Sequence, residues 1–489
     1  MESVSGSTSA SKSESATAVS QDNTSADAVD NKASAAAEQP DKAGLMSKVG
    51  ELGTEGAAIR NRLESELPVN NAVPDLTTEA SITRSNGKVV IDAGDGDDQI
   101  AVTEDPKTGE LTVTVNGAER KFTGTDRENL VIRAGDGDDT INVGKDVDVR
   151  LTIEAGDGRD RVYVDEAVKT GQSIDGGAGN DTLIGGGGHD YINGSTGNDF
   201  IMGRTGNDVV YAGDGNDYVS GGDGDDYLEG GAGDDTVRGW AGNDDISGGR
   251  GDDKIYGGDG NDAIYAGEGK DSIQGQGGDN TIYSQSEDSI NDQAGVRNTV
   301  VEVDMTKALG ANVVVIGSDE FKERIEQDLD FLRSSPVGRQ MLEGLGETKH
   351  TVTIREFDDQ NGTAFPTNRR DTSFDTANQK PGISDDATFN INPDFYPAEH
   401  IPPIVVFYHE AAHAYDYTHG TLRTERYAGA DRSDRGIKDA ERVAVGQPID
   451  HDKDPATPEI LAPEHPEALT ENALRAELNR PLRPRYTSF

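Results

Sequence analysis

Between residues 176 and 280 apolar and polar positions recur with a period of nine, and the period never slips. Asp181, Asp190, Asp199, Asp208, Asp217, Asp226, Asp235, Asp244, Asp253, Asp262 and Asp271 fall on one lattice without an insertion. Two residues after each stands an aliphatic side chain: Leu183, Ile192, Ile201, Val210, Val219, Leu228, Val237, Ile246, Ile255, Ile264 and Ile273, with Ile282 continuing the series. Each unit reads G-G-x-G-x-D-x-U-x, as in GGDGDDYLE from Gly221, where U is the aliphatic position. A tandem period of this kind predicts a parallel β-solenoid, whose U side chains stack inward as a thin ladder core. With two units to a turn, Asp181 should face Asp199 and Asp190 should face Asp208.

The flanks read differently. Residues 1–42 contain ten Ser and nine Ala and no aromatic residue, a composition that cannot bury enough surface to offset chain entropy, so disorder is expected there. Residues 43–80 hold a short amphipathic stretch from Leu45 to Leu67 and a linker. Residues 81–170 carry VVIDAGDGDDQIAV, VIRAGDGDDTINV and LTIEAGDGRDRVYV, strand-turn-strand units that match the nonapeptide pattern only partly. The regular roll is expected over 171–285. Residues 297–489 have ordinary composition and can hold a core, with strands at Val313 to Ile316 and Thr351 to Ile354 and a helix from Ser318 to Leu345 broken near Ser334 to Pro336. The expected architecture is multidomain: a disordered tail, a parallel β-roll and a C-terminal α+β domain.

Charge narrows the partners. With 92 acidic against 45 basic residues the formal charge is −47, which repels nucleic acid and anionic membranes and favours cations. The glycines permit turns with positive φ that aim carbonyl oxygens inward, and each Asp adds a carboxylate. Oxygen-only surroundings suit calcium, which takes about six to eight such ligands. The lattice aspartates are therefore the candidate ligands of several structural calcium ions. Without calcium their carboxylates repel and the array should unfold. No segment approaches the roughly 20 apolar residues of a membrane span. No basic region followed by an apolar core opens the chain, so export is expected by another route than a cleaved signal peptide.

The chain has no cysteine, so any zinc must sit on His and carboxylate ligands. IPPIVVFYHEAAHAYDYTHG carries HExxH after an apolar run. On a helix His409 and His413 share a face and can converge on one zinc ion, with Glu410 placed as general base for the attacking water. The third ligand has several candidates. His419 gives a metzincin-like spacing, but Asp416 replaces the bending glycine and no methionine follows Met341. Asp416 can ligate or orient a histidine. Glu441, in KDAERVAVG, is favoured as arriving from a second helix. Glu471, in LTENALRAEL, is a further candidate, with Arg475 or a tyrosine available to an oxyanion.

The nonapeptide array resembles the repeats-in-toxin (RTX) family, which implies calcium-dependent β-rolls and export, commonly by type I secretion. From about Thr299 to Tyr486 the chain resembles the NleD-type effector zinc metallopeptidases, on the blocks SDEF, SSPVGRQML, HEAAHAYDYTHG, ERVAVGQP and LTENALRAELNRPLRPRY. That resemblance implies one catalytic zinc, delivery by type III secretion and a host signalling protein as substrate. Its acidic residue before an AVG-like segment supports Glu441. The expectation is a secreted zinc endopeptidase acting on a host or competitor protein. The alternative is a calcium-dependent surface or adhesion protein with a non-catalytic zinc domain. Nothing in the C-terminal region signals a need for calcium.

Overall fold

A computed structural model describes residues 80–85, 87–292, 296–357, 363–366, 380–392, 403–423, 439–445, 447, 465–480 and 482–483. The expected N-terminal tail and the stretch at 45–67 lie outside these residues.

The repeats form two twelve-stranded sheets around one apolar core. Alternate units feed alternate sheets. Ile192 pairs with Val210, Val210 with Leu228 and Leu228 with Ile246 on one; Leu183, Ile201, Val219 and Val237 align on the other. Every U side chain from Leu183 to Ile282 is fully buried. Each is worth roughly 1.5–3 kcal/mol against exposure, so a ladder one residue wide can still hold the roll. Stacking is close enough to demand glycine at Gly197, where φ is 131° and a Cβ would overlap the Gly179 carbonyl.

Residues 81–170 do not form a separate irregular layer. Ile132, Ile153 and Ile174 stack in the same sheet as the nonapeptide units, at a wider 21-residue spacing. The first rungs are closed by antiparallel strands. Ser81–Ser85 pairs with Lys88–Asp92, and Gln99–Asp105, Glu110–Val115 and Ala118–Phe122 form a meander. Such ends keep a stacked edge from templating another chain. At the far end Arg297–Glu302 pairs in parallel with Asp279–Ser284, so the roll runs past residue 285 and the boundary placed at 297 falls inside its last rung.

Beyond the roll, helix α1 (Asp319–Ser334) and helix α2 (Pro336–Gly346) meet at Ser335. Ser318 caps α1 and Ser335 caps α2, and Pro336 supplies a first-turn residue that needs no hydrogen-bond partner. A four-stranded sheet runs Val313–Ile316, Val352–Glu356, Ala387–Ile391, Thr363–Pro366, the last antiparallel. Helix α3 (Pro403–His419) packs on this sheet and on α2. Helix α4 (Asp439–Val445) and helix α5 (Glu471–Glu477) pack against α3. The roll and this region share a core, in which Tyr211, Tyr227 and Tyr265 lie among Phe321, Phe331 and Leu345.

Candidate functional site

The roll presents two columns of buried aspartates. In one, the Asp235 amide donates to Asp253 Oδ1 at 2.8 Å and the Asp253 amide to Asp271 Oδ1 at 2.9 Å. In the other, Asp208 donates to Asp226 and Asp226 to Asp244, at 2.8 and 2.9 Å. Asp181 donates to Asp199, Asp199 to Asp217 and Asp217 to Asp235, and Asp190 donates to Asp208, at 2.7–2.8 Å. Asp244 donates to Asp262 at 3.1 Å. The facing pairs expected from the period are thus present. The first column continues upstream without a break, through Asp160, Asp139 and Asp98.

In these columns Oδ1 of one aspartate accepts an amide from the neighbouring turn, and Asp190 Oδ2 also accepts from the Gly186 amide at 2.7 Å. Oδ2 of Asp139, Asp160, Asp208, Asp226, Asp235, Asp244, Asp253, Asp262 and Asp271 is buried with no hydrogen-bond partner among the described residues. A Cβ added at Gly230 would lie 2.5 Å from the Gly248 carbonyl oxygen and 2.7 Å from Asp235 Oδ2. One added at Gly176 would lie 2.7 Å from Asp181 Oδ2 and 3.0 Å from the Gly194 oxygen. These glycine-floored, oxygen-lined cradles fit a hard cation such as calcium.

The carboxyls show the strain of that burial. Burial pushes Asp235 up to about 9, Asp244 and Asp271 to about 8, and Asp253 and Asp262 to about 7, with neighbouring aspartates adding to the shift. Asp139 and Asp181 rise to about 8, and Asp160 and Asp190 to about 6, for the same first reason. Folded values above the ordinary 3.8 mean that the calcium-free roll gains stability from bound protons. That gain is fully present below about pH 4 and lost as the pH rises through about 6 to 9. Protein stripped of calcium should therefore show a stronger β-type circular dichroism signal at about pH 5 than at about pH 8, and calcium binding near neutrality should release protons. A calcium-free signal that strengthens from pH 5 to 8 would contradict this account.

The second site lies on α3. His409 and His413 lie one helical turn apart with ring centroids 4.9 Å apart and planes at 89°. Both are nearly buried, as is Glu410 between them. Glu410 Oε2 is buried and, among the described residues, accepts no hydrogen bond. Two imidazoles on one helix face, with an unsatisfied carboxylate at the position after the first, are a donor set that zinc and its water would complete.

Glu471, at the start of α5, lies 3.0 Å from His409 Nδ1. Its other contacts are charged: Arg475 Nε donates to Oε1 at 2.7 Å and Arg483 Nη1 to Oε2 at 3.1 Å. Burial opposes ionisation of Glu471, but His409 and the two guanidiniums outweigh it and hold the carboxyl down at about 2. Both its oxygens are engaged, and Glu471 holds the ring of His409 from its Nδ1 side. Arg475 is thereby occupied in holding Glu471.

Asp416 and His419 have contacts of their own. Asp416 accepts from Thr421 Oγ1 at 2.6 Å and meets His465 Nδ1 at 2.9 Å, while His465 Nε2 donates to the Leu469 carbonyl at 2.8 Å. Burial would raise Asp416, but His465 and the Thr421 hydroxyl hold it below the usual carboxylate range. His419 stacks on Tyr415 with centroids 3.9 Å apart, and its Nδ1 lies 2.9 Å from the Tyr415 carbonyl oxygen. Glu441 stands on α4, which packs against α3, but its side chain lies outside the described residues. Among the described residues no group of three or more His, Asp or Glu side chains is arranged to hold a metal ion.

His465 and Arg483 were not among the residues singled out in the sequence. They act through a carboxylate held elsewhere in the chain, and no spacing rule links them to HExxH. Among the described residues no helix is long and apolar enough to cross a membrane.

Residues 310–486 match the Peptidase_M91 family, described as an effector protein. Residues 131–149, 172–201, 193–228, 220–255 and 256–288 match the RTX calcium-binding nonapeptide repeat. No curated protein matches the chain.

Proposed function

We propose that the protein is a secreted zinc endopeptidase, a reading supported by the match of its C-terminal region to an effector-family peptidase model and of its middle to RTX calcium-binding repeats. It acts outside the cell that makes it, on a protein of a host or competitor. The observation that carries this reading is the triad on α3: two nearly buried histidines on one face, and Glu410 between them in sequence with a buried carboxylate oxygen that has no partner among the described residues.

His409 and His413 would hold the zinc, and Glu441 is the third ligand we favour, from the helix packed on α3. When bound, zinc supplies Lewis-acid polarisation of the scissile carbonyl and lowers the pKa of its water to about 7. Glu410 takes a proton from the attacking water and returns it to the leaving amine. Glu471 fixes the tautomer and orientation of His409, and Arg475 and Arg483 keep Glu471 ionised. The ring of His465 ties Asp416 of α3 to the segment that leads into α5. In the roll, the lattice aspartates with carbonyls such as those of Gly194 and Gly248 would hold calcium.

Purified in calcium, the protein should contain one zinc per chain by elemental mass spectrometry and cleave members of an unbiased peptide library. Stoichiometric zinc with no cleavage would favour the binding-protein reading. Glu471→Gln, which keeps the shape of the clamp but removes its charge, is expected to weaken zinc by about 10- to 100-fold, read by competition with a chromophoric chelator. Unchanged zinc affinity would remove Glu471 from the site.

A further inference from the structure

The outward positions of the roll's two sheets are unequal. On the sheet that carries Ile192, Val210, Leu228, Ile264 and Ile282, the residues beside these U positions include Tyr191, Tyr211, Tyr227, Tyr265 and Tyr283. In an isolated solenoid such positions face water, yet Tyr211, Tyr227 and Tyr265 are completely or almost completely buried. The peptidase region covers them. Phe331 of α1 packs on Tyr265 with centroids 4.4 Å apart and on Tyr227 at 5.8 Å. Tyr211 donates to Asp328 at 3.2 Å, and Arg250 of the roll pairs with Asp330 at 2.9 Å.

Two further contacts reach α5. Glu477, at its C-terminal end, accepts from the Tyr265 hydroxyl at 3.1 Å, from Ser335 Oγ at 2.5 Å and from the Val337 amide at 2.9 Å. Arg480, just beyond, donates to Asp245 of the roll at 2.7 Å, with both groups nearly buried. The first residue of this short helix is Glu471, which clamps His409. A seven-residue helix of about two turns therefore joins the zinc-side histidine to the roll.

The roll residues at that junction belong to the cation-binding rungs. Asp245 directly follows Asp244, and Tyr265 lies three residues after Asp262; the Asp244 amide donates to Asp262 Oδ1 at 3.1 Å. Asp244 and Asp262 each keep a buried Oδ2 without a partner. The strands presenting Asp245 and Tyr265 are thus built around sites whose carboxylates repel one another when no cation is bound.

We propose that the calcium-filled roll is the scaffold that holds the zinc-binding helix in working position, the link running through α5 by way of Glu477 and Arg480. Calcium then governs the peptidase region as well as the repeats, contrary to the expectation that this region has no need of it. Glu477 and Arg480 are positioning residues, since neither touches the histidines. At the low free calcium of a cytosol the roll loosens, α5 loses its seat and the Glu471 clamp on His409 opens. Where calcium is plentiful the site assembles. This inference rests on the zinc-peptidase reading for its consequence, but not for its geometry.

The test uses the full chain and three readouts across a calcium titration: circular dichroism for the roll, hydrogen–deuterium exchange of peptides from α3 and α5, and zinc affinity by chelator competition. Calcium is expected to fold the roll, slow exchange in α3 and α5 by at least about tenfold and tighten zinc by a similar factor. Roll folding with unchanged exchange and zinc affinity would overturn the proposal. In Arg480→Ala, and separately in Tyr265→Phe, the roll should keep its calcium response while the calcium effect on α5 exchange and zinc affinity shrinks. Full coupling retained in both variants would also overturn it. The roll's own dichroism distinguishes lost coupling from a variant that fails to fold. Coupled exchange in a protein that neither binds zinc nor cleaves peptides would defeat the peptidase reading and leave the coupling standing.

Discussion

Glu410→Gln is expected to lower kcat/KM for peptide cleavage by about 100- to 10,000-fold, the span that a positioned general acid–base contributes, while zinc content stays at that of the wild type. The substitution keeps the shape of a buried side chain and removes only its basicity. Glu410 is nearly enclosed, and among the described residues its Oε2 finds no donor. A carboxylate oxygen in that position is costly unless something outside the described chain completes it, and water delivered to the metal is what the reaction needs there. Because Glu410 is not counted among the ligands, loss of zinc in the variant would place it in the wrong role. Wild-type activity in the variant would sink the peptidase reading. The comparison is most informative in whole lysates, where cleavage sites made by the wild type and not by Glu410→Gln identify the substrate directly.

Removal of calcium is expected to abolish most of the roll's β-signal at neutral pH, and millimolar calcium to restore it. The scale follows from mass action. A site filled at about a thousand times its dissociation constant adds about 4 kcal/mol. Three such sites would contribute roughly 12 kcal/mol, the whole stability of an ordinary domain at about 5–15 kcal/mol. The aspartate columns offer more places than that, each with a fully or almost fully buried carboxylate. Thermal melting should accordingly shift upward with calcium over a wide concentration range. A dichroism spectrum indifferent to chelation would show that the leftover Oδ2 oxygens are satisfied in some other way.

Much of the roll was legible because its information is local. A turn of two units places Asp181 opposite Asp199 and Leu183 beside Ile201 by counting alone, and the structure follows that count. The upstream units were harder to read, since their 21-residue turns break the period while keeping the same stacking partners. On α3 the i, i+4 pair was equally plain. What sequence left open was every partner that arrives from a distant part of the chain. Glu471 and Arg475 stand in the sequence as candidate ligand and oxyanion group, and in the structure Glu471 lies against His409 Nδ1 while Arg475 donates to Glu471. His465 and Arg483 carried no signal of their own. A visible signal did exist for the docking of roll and peptidase region: five tyrosines beside U positions of one sheet, at places that a free solenoid would leave to solvent.

The tyrosine strip also constrains how such a chain can change length. Successive nonapeptides go to opposite sheets, so every unit has a parity. Inserting or deleting one unit within the docked rungs would flip all units beyond it, turning part of the strip to the far side and leaving Phe331 and Asp330 facing side chains chosen for water. Adding or losing a matched pair preserves parity. Duplication in this array is therefore harmless only in even steps, and the paired unit, not the nonapeptide, is the quantum by which the roll can grow.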